Sequence, residues 1–248
     1  MKPVQYQKGW VEFYKLKFKV TPDVLIPRQE TELLVEETLN YINILRAKRE
    51  VNPKDSSHLR SNNIIPITIL DLGTGSGNIA ISLACNLRGC NVKIIATDVS
   101  KKALKIAHQN AKLHGVNDKI NFLQSNLLKN IDTKIIRSDE KCVIVTNLPY
   151  IPTERINYLD FSVRDFEPHL ALDGGEDGFE LYRKLFTQIK EKGWKPKLII
   201  GEIDYTHGEL AQQEAQKYFP EAEVEVKTDL NRKQRILTIE RVTLLKSL

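Results

Sequence analysis

From Ile64 onward the chain alternates between short apolar runs and longer stretches in which apolar residues recur at helical spacing. Ile65–Leu72 predicts a buried strand, followed by a helix over Asn78–Leu87 that begins in small and apolar residues. Val92–Thr97 predicts a second strand. Lys101–His114 predicts an amphipathic helix closed by Gly115, a residue that tolerates the left-handed turn after a helix. Ile120–Gln124 and Cys142–Thr146 follow as third and fourth strands, the latter almost wholly apolar, as a strand covered on both faces should be. Beyond an irregular stretch come a helix at Phe179–Lys192, a fifth strand at Leu198–Ile203 and a helix at Glu209–Tyr218. A strand pair at Val224–Lys227 and Arg235–Glu240 closes the chain. Repeated strand–helix–strand units imply an α/β architecture with a doubly wound, mostly parallel sheet and a C-terminal antiparallel strand pair.

Before Ile64 the pattern changes. Val11, Phe13, Leu16, Phe18 and Val20 are set among Glu12, Lys15, Lys17 and Lys19, which predicts a small β-hairpin turning at Tyr14-Lys15. Pro22 and Pro27 interrupt the chain. A helix then starts near Gln29 or Thr31, with Leu33, Leu34, Leu39, Ile42 and Leu45 on one face. The polar stretch Glu50–Asn63, holding Pro53, Asp55, Ser56 and Ser57, predicts an exposed loop. Residues 1–26 are thus expected to form a hairpin arm, and residues 27–248 the main domain.

Composition narrows the class. With 248 residues, 41% hydrophobic and 28% charged, the chain can bury one α/β core. No apolar run approaches the roughly 20 residues that span a bilayer, and Met1–Tyr6 lacks the apolar core of a signal peptide, so a cytoplasmic protein without membrane contact is expected. Cys85, Cys90 and Cys142 form no C-x-x-C pair, and the five histidines show no zinc-ligand spacing, so no metal is expected. The formal charge of +5 is interleaved with acids, as in Lys184 to Lys197 and Glu221 to Arg235. That reads as a solvated mixed-charge surface rather than a nucleic-acid stripe.

The first chemical signal is Asp71-Leu72-Gly73-Thr74-Gly75-Ser76-Gly77, lying between a strand and a helix. Glycines at alternate positions allow a tight turn and close backbone approach to a ligand, and the helix that follows offers free N–H groups. Asn78 stands where a dinucleotide fingerprint would place its third glycine. The alternate spacing instead resembles the loop with which class I, Rossmann-like methyltransferases wrap the methionine part of S-adenosylmethionine. Asp98, at the end of the second strand, is positioned to accept hydrogen bonds from ribose hydroxyls; a cap on the next helix is the plainer role for it or for Ser100. In Ser125-Asn126-Leu127, after the third strand, Asn126 offers an amide to a purine edge and Leu127 a surface for its face, although the tripeptide also suits a plain turn.

The fourth strand runs into Asn147-Leu148-Pro149-Tyr150, which matches the [DNS]-[PLI]-P-[YFW] signature of methyltransferases acting on planar nitrogen. An amide nitrogen is a poor nucleophile because its lone pair is delocalised into the carbonyl. Acceptors must therefore grip the NH₂ group and aim the lone pair at the methyl carbon. Asn147 supplies a side-chain oxygen. Leu148 precedes a proline and is biased to an extended backbone that turns its carbonyl into the pocket. Pro149 stiffens the turn, and Tyr150 offers a flat π face near a sulfonium charge.

These segments, together with Pro3–Tyr6, Gly9, Glu12–Tyr14 and Val24-Leu25-Ile26-Pro27-Arg28-Gln29-Glu30-Thr31-Glu32, resemble the PrmC/HemK release-factor glutamine methyltransferases. The likeness continues through Glu167-Pro168, Ala171–Gly175, Asp177-Gly178 and Glu202-Ile203 to Asp229-Leu230 and Arg235. It implies S-adenosylmethionine as cofactor and the glutamine of the Gly-Gly-Gln loop of class I peptide-chain release factors as acceptor; a monomer is expected. Asn147 and the Leu148 carbonyl would hold that amide, Pro149 and Tyr150 would shape the pocket, and Pro27, Arg28, Glu30 and Thr31 would form its rim. Glu30 and Glu32 also suit a helix N-terminus. The family's helical N-terminal domain would end where this chain begins. Leu148 stands where the family has a first proline, and Gln29, Arg232 and Asp204 stand where it has a proline and two glycines. The spelling Asn-Leu-Pro-Tyr also resembles ribosomal RNA adenine dimethyltransferases, which makes an adenine amino-methyltransferase acting on rRNA or DNA the alternative.

Overall fold

The computed structural model describes residues 1–50, 67–132 and 141–241. The loop expected over Glu50–Asn63 lies outside them apart from Glu50, as does Ile65 of the first predicted core strand. The elements in chain order are α1 (Val4–Lys8), β1 (Trp10–Phe13), β2 (Leu16–Lys19), α2 (Glu32–Glu50), β3 (Ile67–Leu72), α3 (Asn78–Asn86), β4 (Val92–Asp98) and α4 (Lys101–Leu113). They continue with β5 (Ile120–Gln124), β6 (Lys141–Thr146), α5 (Phe161–Arg164), α6 (Glu180–Glu191), β7 (Leu198–Glu202), α7 (Gly208–Tyr218), β8 (Glu223–Thr228) and β9 (Gln234–Glu240).

Strands β3 to β9 form one sheet in the order β5-β4-β3-β6-β7-β9-β8. The pairs from β5 through β7 are parallel, and β9 pairs antiparallel with both β7 and β8. The chain winds outward from β3 through β4 to β5, then returns to lay β6 on the other flank of β3. That reversal opens a crevice at the carboxyl ends of β3 and β6, where open α/β sheets bind ligands. Period-two alternation divides the core: Ile69, Val143 and Val145 join Leu34, Ile42 and Leu83 on one face, while Leu70 and Ile144 join Tyr182, Phe186 and Ala215 on the other.

The hairpin turns at Tyr14 and Lys15, both left-handed at φ 48° and 60°, which matches the twist of the flanking strands. It is anchored to the main sheet: Phe13 and Phe18 are buried in the same cluster as Leu34 and Ile69. Tyr14 N donates to Glu32 Oε1 at 2.8 Å. Asn110, buried on α4, accepts from Lys19 N at 2.7 Å and donates to the carbonyls of Lys19 and Ser76 at 3.0 and 2.8 Å. One side chain thereby ties the hairpin to the glycine loop.

Helix α1 and the short helical turns at Thr153–Tyr158, Phe161–Arg164 and His169–Ala171 have no counterpart in the sequence reading. Each is too short to display a helical period. Arg232, at a position where the family resemblance expects glycine, adopts φ 60° in the β8–β9 turn. Asp229 holds that turn by accepting from Asn231 N and Lys233 N at 2.8 and 3.0 Å, offsetting the strain of a side chain in the left-handed region.

Candidate active site

Leu72 pairs with Thr146 across β3 and β6, so Gly73 and Asn147 leave the sheet side by side. A Cβ at Gly73 would stand 3.6 Å from Leu148 Cδ2 and 3.9 Å from the Asn147 carbonyl oxygen. The glycine loop and the acceptor motif, 70 residues apart in sequence, therefore share one wall. Gly73, Gly75, Asp98, Asn126, Leu127, Asn147, Leu148 and Pro149 all border a single cavity, closed on the far side by Val24, Leu25, Pro168 and Leu170.

Within the loop the predicted residues divide by role. Gly73 and Gly75, at φ 73° and 55°, face the cavity and leave open space where a Cβ would intrude. Asp71, Thr74, Ser76 and Gly77 are buried behind it and shape it. Asp71 Oδ2 accepts from the Thr74 hydroxyl at 2.6 Å and from Ala80 N at 3.1 Å, pinning the loop to the first turn of α3. Burial raises the Asp71 carboxyl to about 7, against the opposing effect of those two donors. Gly77 lies against Ala107, where a Cβ would stand 3.2 Å from the Ala107 methyl; it sets the packing of α3 on α4.

Asp98 serves the loop and the cavity together. Its Oδ2 accepts from Gly75 N at 2.9 Å and its Oδ1 from Ser100 N at 2.8 Å, while Ser100 caps α4 by accepting from Ala103 N. A carboxylate has about four acceptor positions, so beside the Gly75, Ser100 and Val99 amides it keeps capacity for a ligand hydroxyl. Burial raises the Asp98 pKa, and the backbone donors oppose the shift. Leu127 holds a left-handed φ of 54° in the cavity wall, fixed by Leu128 N donating to Gln188 Oε1 at 2.8 Å. Such strain persists only where the surroundings over-determine it, and it concentrates at binding sites.

The acceptor motif rests on a buried carboxylate that the sequence reading left without a role. Glu202 ends β7 at 1% exposure. Its Oε2 accepts from Asn147 Nδ2 at 3.0 Å and from the Thr31 hydroxyl at 2.7 Å, and its Oε1 accepts from the Tyr150 hydroxyl at 3.0 Å. Asn147 Nδ2 also donates to Thr31 Oγ1 at 3.1 Å. Burial, then the nearby Glu202 charge, pushes the Tyr150 phenol well above its ordinary range.

The loop after α5 packs against the same turn from outside. Ile151 N donates to the Leu172 carbonyl, Gly174 N to the Ile151 carbonyl and Thr153 N to the Gly175 carbonyl, all at 2.9–3.1 Å. A Cβ at Gly174 would meet the carbonyl oxygens of Pro149 and Gly178 and the Tyr150 Cα at 2.7–2.8 Å. Only glycine allows this approach, which explains the Gly174-Gly175 and Gly178 pattern of the sequence.

The segment read as a rim occupies two levels. Glu30 is exposed and Pro27 half-buried, as a rim requires. Thr31 is buried at 2% exposure beneath Asn147, so its role is internal; the helical turn over Gln29–Thr31 points its hydroxyl at Glu202. Arg28 is held at Glu167 Oε1 by a 2.5 Å ion pair, and Glu167 Oε2 accepts from Ile26 N at 3.1 Å. Glu167 therefore latches the segment to the loop that carries Pro168.

A methyltransferase-domain family model matches residues 66–218. The release factor glutamine methyltransferase of Lactococcus lactis is 37% identical over 238 residues, covering 96% of this chain and 77% of that one. This chain belongs to the release factor glutamine methyltransferase family. The Bacillus subtilis member is 36% identical over 236 residues, covering 95% and 74% of the two chains. Among solved structures, the catalytic domain of human METTL16 in complex with a 3'UTR hairpin superposes with a TM-score of 0.62 at 13% identity, covering 93% of this chain and 77% of that one. The N-terminal domain of human METTL16 in complex with SAH gives a TM-score of 0.55 at 14% identity, covering 93% and 77%. At these identities the likeness is one of fold, Rossmann-like and shared with methyltransferases.

Family membership accords with the expected doubly wound sheet, N-terminal hairpin and C-terminal antiparallel pair. Among the described residues no helix is long and apolar enough to cross a membrane. Glu202 and Glu167 entered the sequence reading only within the family resemblance and without a role, and Asn110 was missed altogether. For Glu202 a signal was present: an acid closing an otherwise apolar strand, Leu198–Gly201. Asn110 had none, since a polar residue inside an amphipathic helix is ordinary.

Proposed function

We propose that this protein transfers a methyl group to the side-chain amide nitrogen of a glutamine in a class I peptide-chain release factor, in the cytoplasm and as a monomer. The observation that carries the reading is the clasp at the β6 end, where Asn147 stands beside the glycine loop with its NH₂ group engaged by Glu202 and Thr31. That leaves the Asn147 Oδ1 and the Leu148 carbonyl as acceptors for a substrate NH₂. The names of the relatives support glutamine over a nucleic-acid adenine as the acceptor.

The cavity fits S-adenosylmethionine. Gly73 and Gly75 have no Cβ to block the methionine part, Asp98 keeps acceptor capacity for a ribose hydroxyl, and Leu127 with Ala103 offers an apolar slot for a flat base. The chemistry supplied by the bound cofactor is an electrophilic methyl whose carbon–sulfur bond breaks towards sulfur. Asn147 and the Leu148 carbonyl hold both amide hydrogens, which directs the nitrogen lone pair along the remaining axis. Tyr150 and Pro149 keep water from that face. No side-chain base is required, because the nitrogen becomes acidic as it gains the methyl and its proton leaves to water. The rate enhancement then comes from orientation, a contribution of roughly 7–11 kcal/mol in well-aligned systems.

Incubation with labelled S-adenosylmethionine and a class I release factor, followed by mass spectrometry, is expected to find one added methyl group on the glutamine of the Gly-Gly-Gln loop. Label entering rRNA and never protein would reverse the assignment. Replacing Asp98 by alanine is expected to weaken cofactor binding by about 1.5–3 kcal/mol, the range for hydrogen bonds to a charged group. Unaltered affinity by calorimetry would remove the ribose role.

A further inference from the structure

Glu202 is an expensive residue to keep. Its carboxylate is buried at 1% exposure, no cation among the described residues lies within hydrogen-bond reach, and burial raises its pKa, with the Thr31 and Tyr150 donors and the Arg235 charge opposing. Taking a carboxylate out of water without a paired charge is strongly unfavourable, and an apolar side chain there would be easier to accommodate. Its backbone is held firmly as well. Tyr182 OH donates to the Glu202 carbonyl at 2.6 Å, reaching it across Gly201, where any Cβ would collide with the Tyr182 ring.

What the carboxylate does is directional. Ionised, it can only accept hydrogen bonds. Asn147 must therefore present its NH₂ to Glu202 Oε2, and the Thr31 hydroxyl, which donates to the same oxygen, accepts the second amide hydrogen. The carbonyl end of the Asn147 amide then has a single direction left, away from Glu202. Among the described residues Asn147 Oδ1 takes no donor, it is not among the buried unpaired atoms, and Asn147 borders the cavity.

Resting on the activity proposed above, we propose that Glu202 is the positioning residue that sets acceptor specificity: by fixing the Asn147 amide with Oδ1 inward, it makes the pocket accept an NH₂ donor and reject the isosteric carboxylate. An inverted Asn147 would offer NH₂ to the pocket, which suits an acceptor oxygen and leaves a substrate NH₂ facing a donor. Discrimination between a primary amide and a carboxylate of the same shape is thus determined one residue behind the atoms that touch the substrate.

The test compares the wild-type enzyme with E202Q, using an intact class I release factor and the same factor with its loop glutamine changed to glutamate as competitor. A glutamine at 202 can face Asn147 with either end, so the orientation is released without a change of shape. Wild type is expected to prefer the glutamine form over the glutamate competitor by about 100-fold or more, as for sites built to pair with a polar group that the analogue lacks. E202Q is expected to lose about 10- to 100-fold in kcat, the effect of misplacing a reacting group, and to narrow that preference several-fold. Its cofactor affinity and Tm should stay near wild type, which a merely structural role would not predict. Equal binding of the two forms by wild type, or wild-type kcat and preference in E202Q, would overturn the proposal; the first measurement stands even if E202Q does not fold. Wild type that methylates no release factor would instead strike the proposed activity.

Discussion

Replacing Asn147 by alanine is expected to lower kcat by about 100- to 1000-fold, the range for deleting one fixed polar contact to a reacting group, while affinity for S-adenosylmethionine is largely kept. The change removes one of the two acceptors that hold the substrate amide but leaves the glycine loop and Asp98 untouched, so binding and turnover should separate. Because Glu202 Oε2 would lose its Asn147 donor, a second effect is expected in the fold. Leaving a buried acceptor short of a partner costs about 1–3 kcal/mol, visible as a lower denaturation midpoint. The decisive measurement is single-turnover methylation of the release factor alongside calorimetric titration of the cofactor. If Asn147→Ala turned over like wild type, the placement of the acceptor site at the end of β6 would be wrong.

The second large effect is expected at a residue that touches no substrate. Gly174→Ala adds one methyl group where the Pro149 and Gly178 carbonyl oxygens and Tyr150 Cα already lie 2.7–2.8 Å from the Cβ position. All three neighbours are backbone, so no flexible side chain can move aside. Overpacking of this kind costs about 1–3 kcal/mol and shifts the backbone. Two of the three backbone atoms belong to Pro149-Tyr150 of the acceptor turn. A displacement near 1 Å at a positioning group can reduce a rate by about 100-fold, so activity is expected to fall further than stability. Gly193→Ala is the contrasting case: its glycine, unlike Gly174, is at a positive φ of 63° but has open space where a Cβ would stand, so it tests backbone strain without collision. A Gly174→Ala enzyme with normal kcat and a normal denaturation midpoint would show that the loop does not buttress the acceptor turn.

How much of this was legible depends on the range of the interactions. The glycine loop and the Asn147–Tyr150 turn are local: their residue types perform their work within a few positions, and each follows a strand whose apolar run announces it. Asp98 was legible for the same reason, at the end of β4. The helical turns between Thr153 and Ala171 were not, because segments of three to six residues are too short to show a period. Arg28 and Thr31 were picked out as site residues, but their partners, Glu167 and Glu202, lie 139 and 171 positions away, so an outer rim could not be told from an internal brace.

From the sequence alone came the alternation of strands and helices, the order of the chemical motifs and the kind of chemistry that each could perform, because periodicity, turn geometry and functional-group type are properties of neighbouring residues. Only the tertiary structure decided which motifs share a wall and which way the Asn147 amide faces. Those outcomes depend on the parallel register of β3 with β6 and on a carboxylate brought in from the end of β7, contacts that no local pattern encodes.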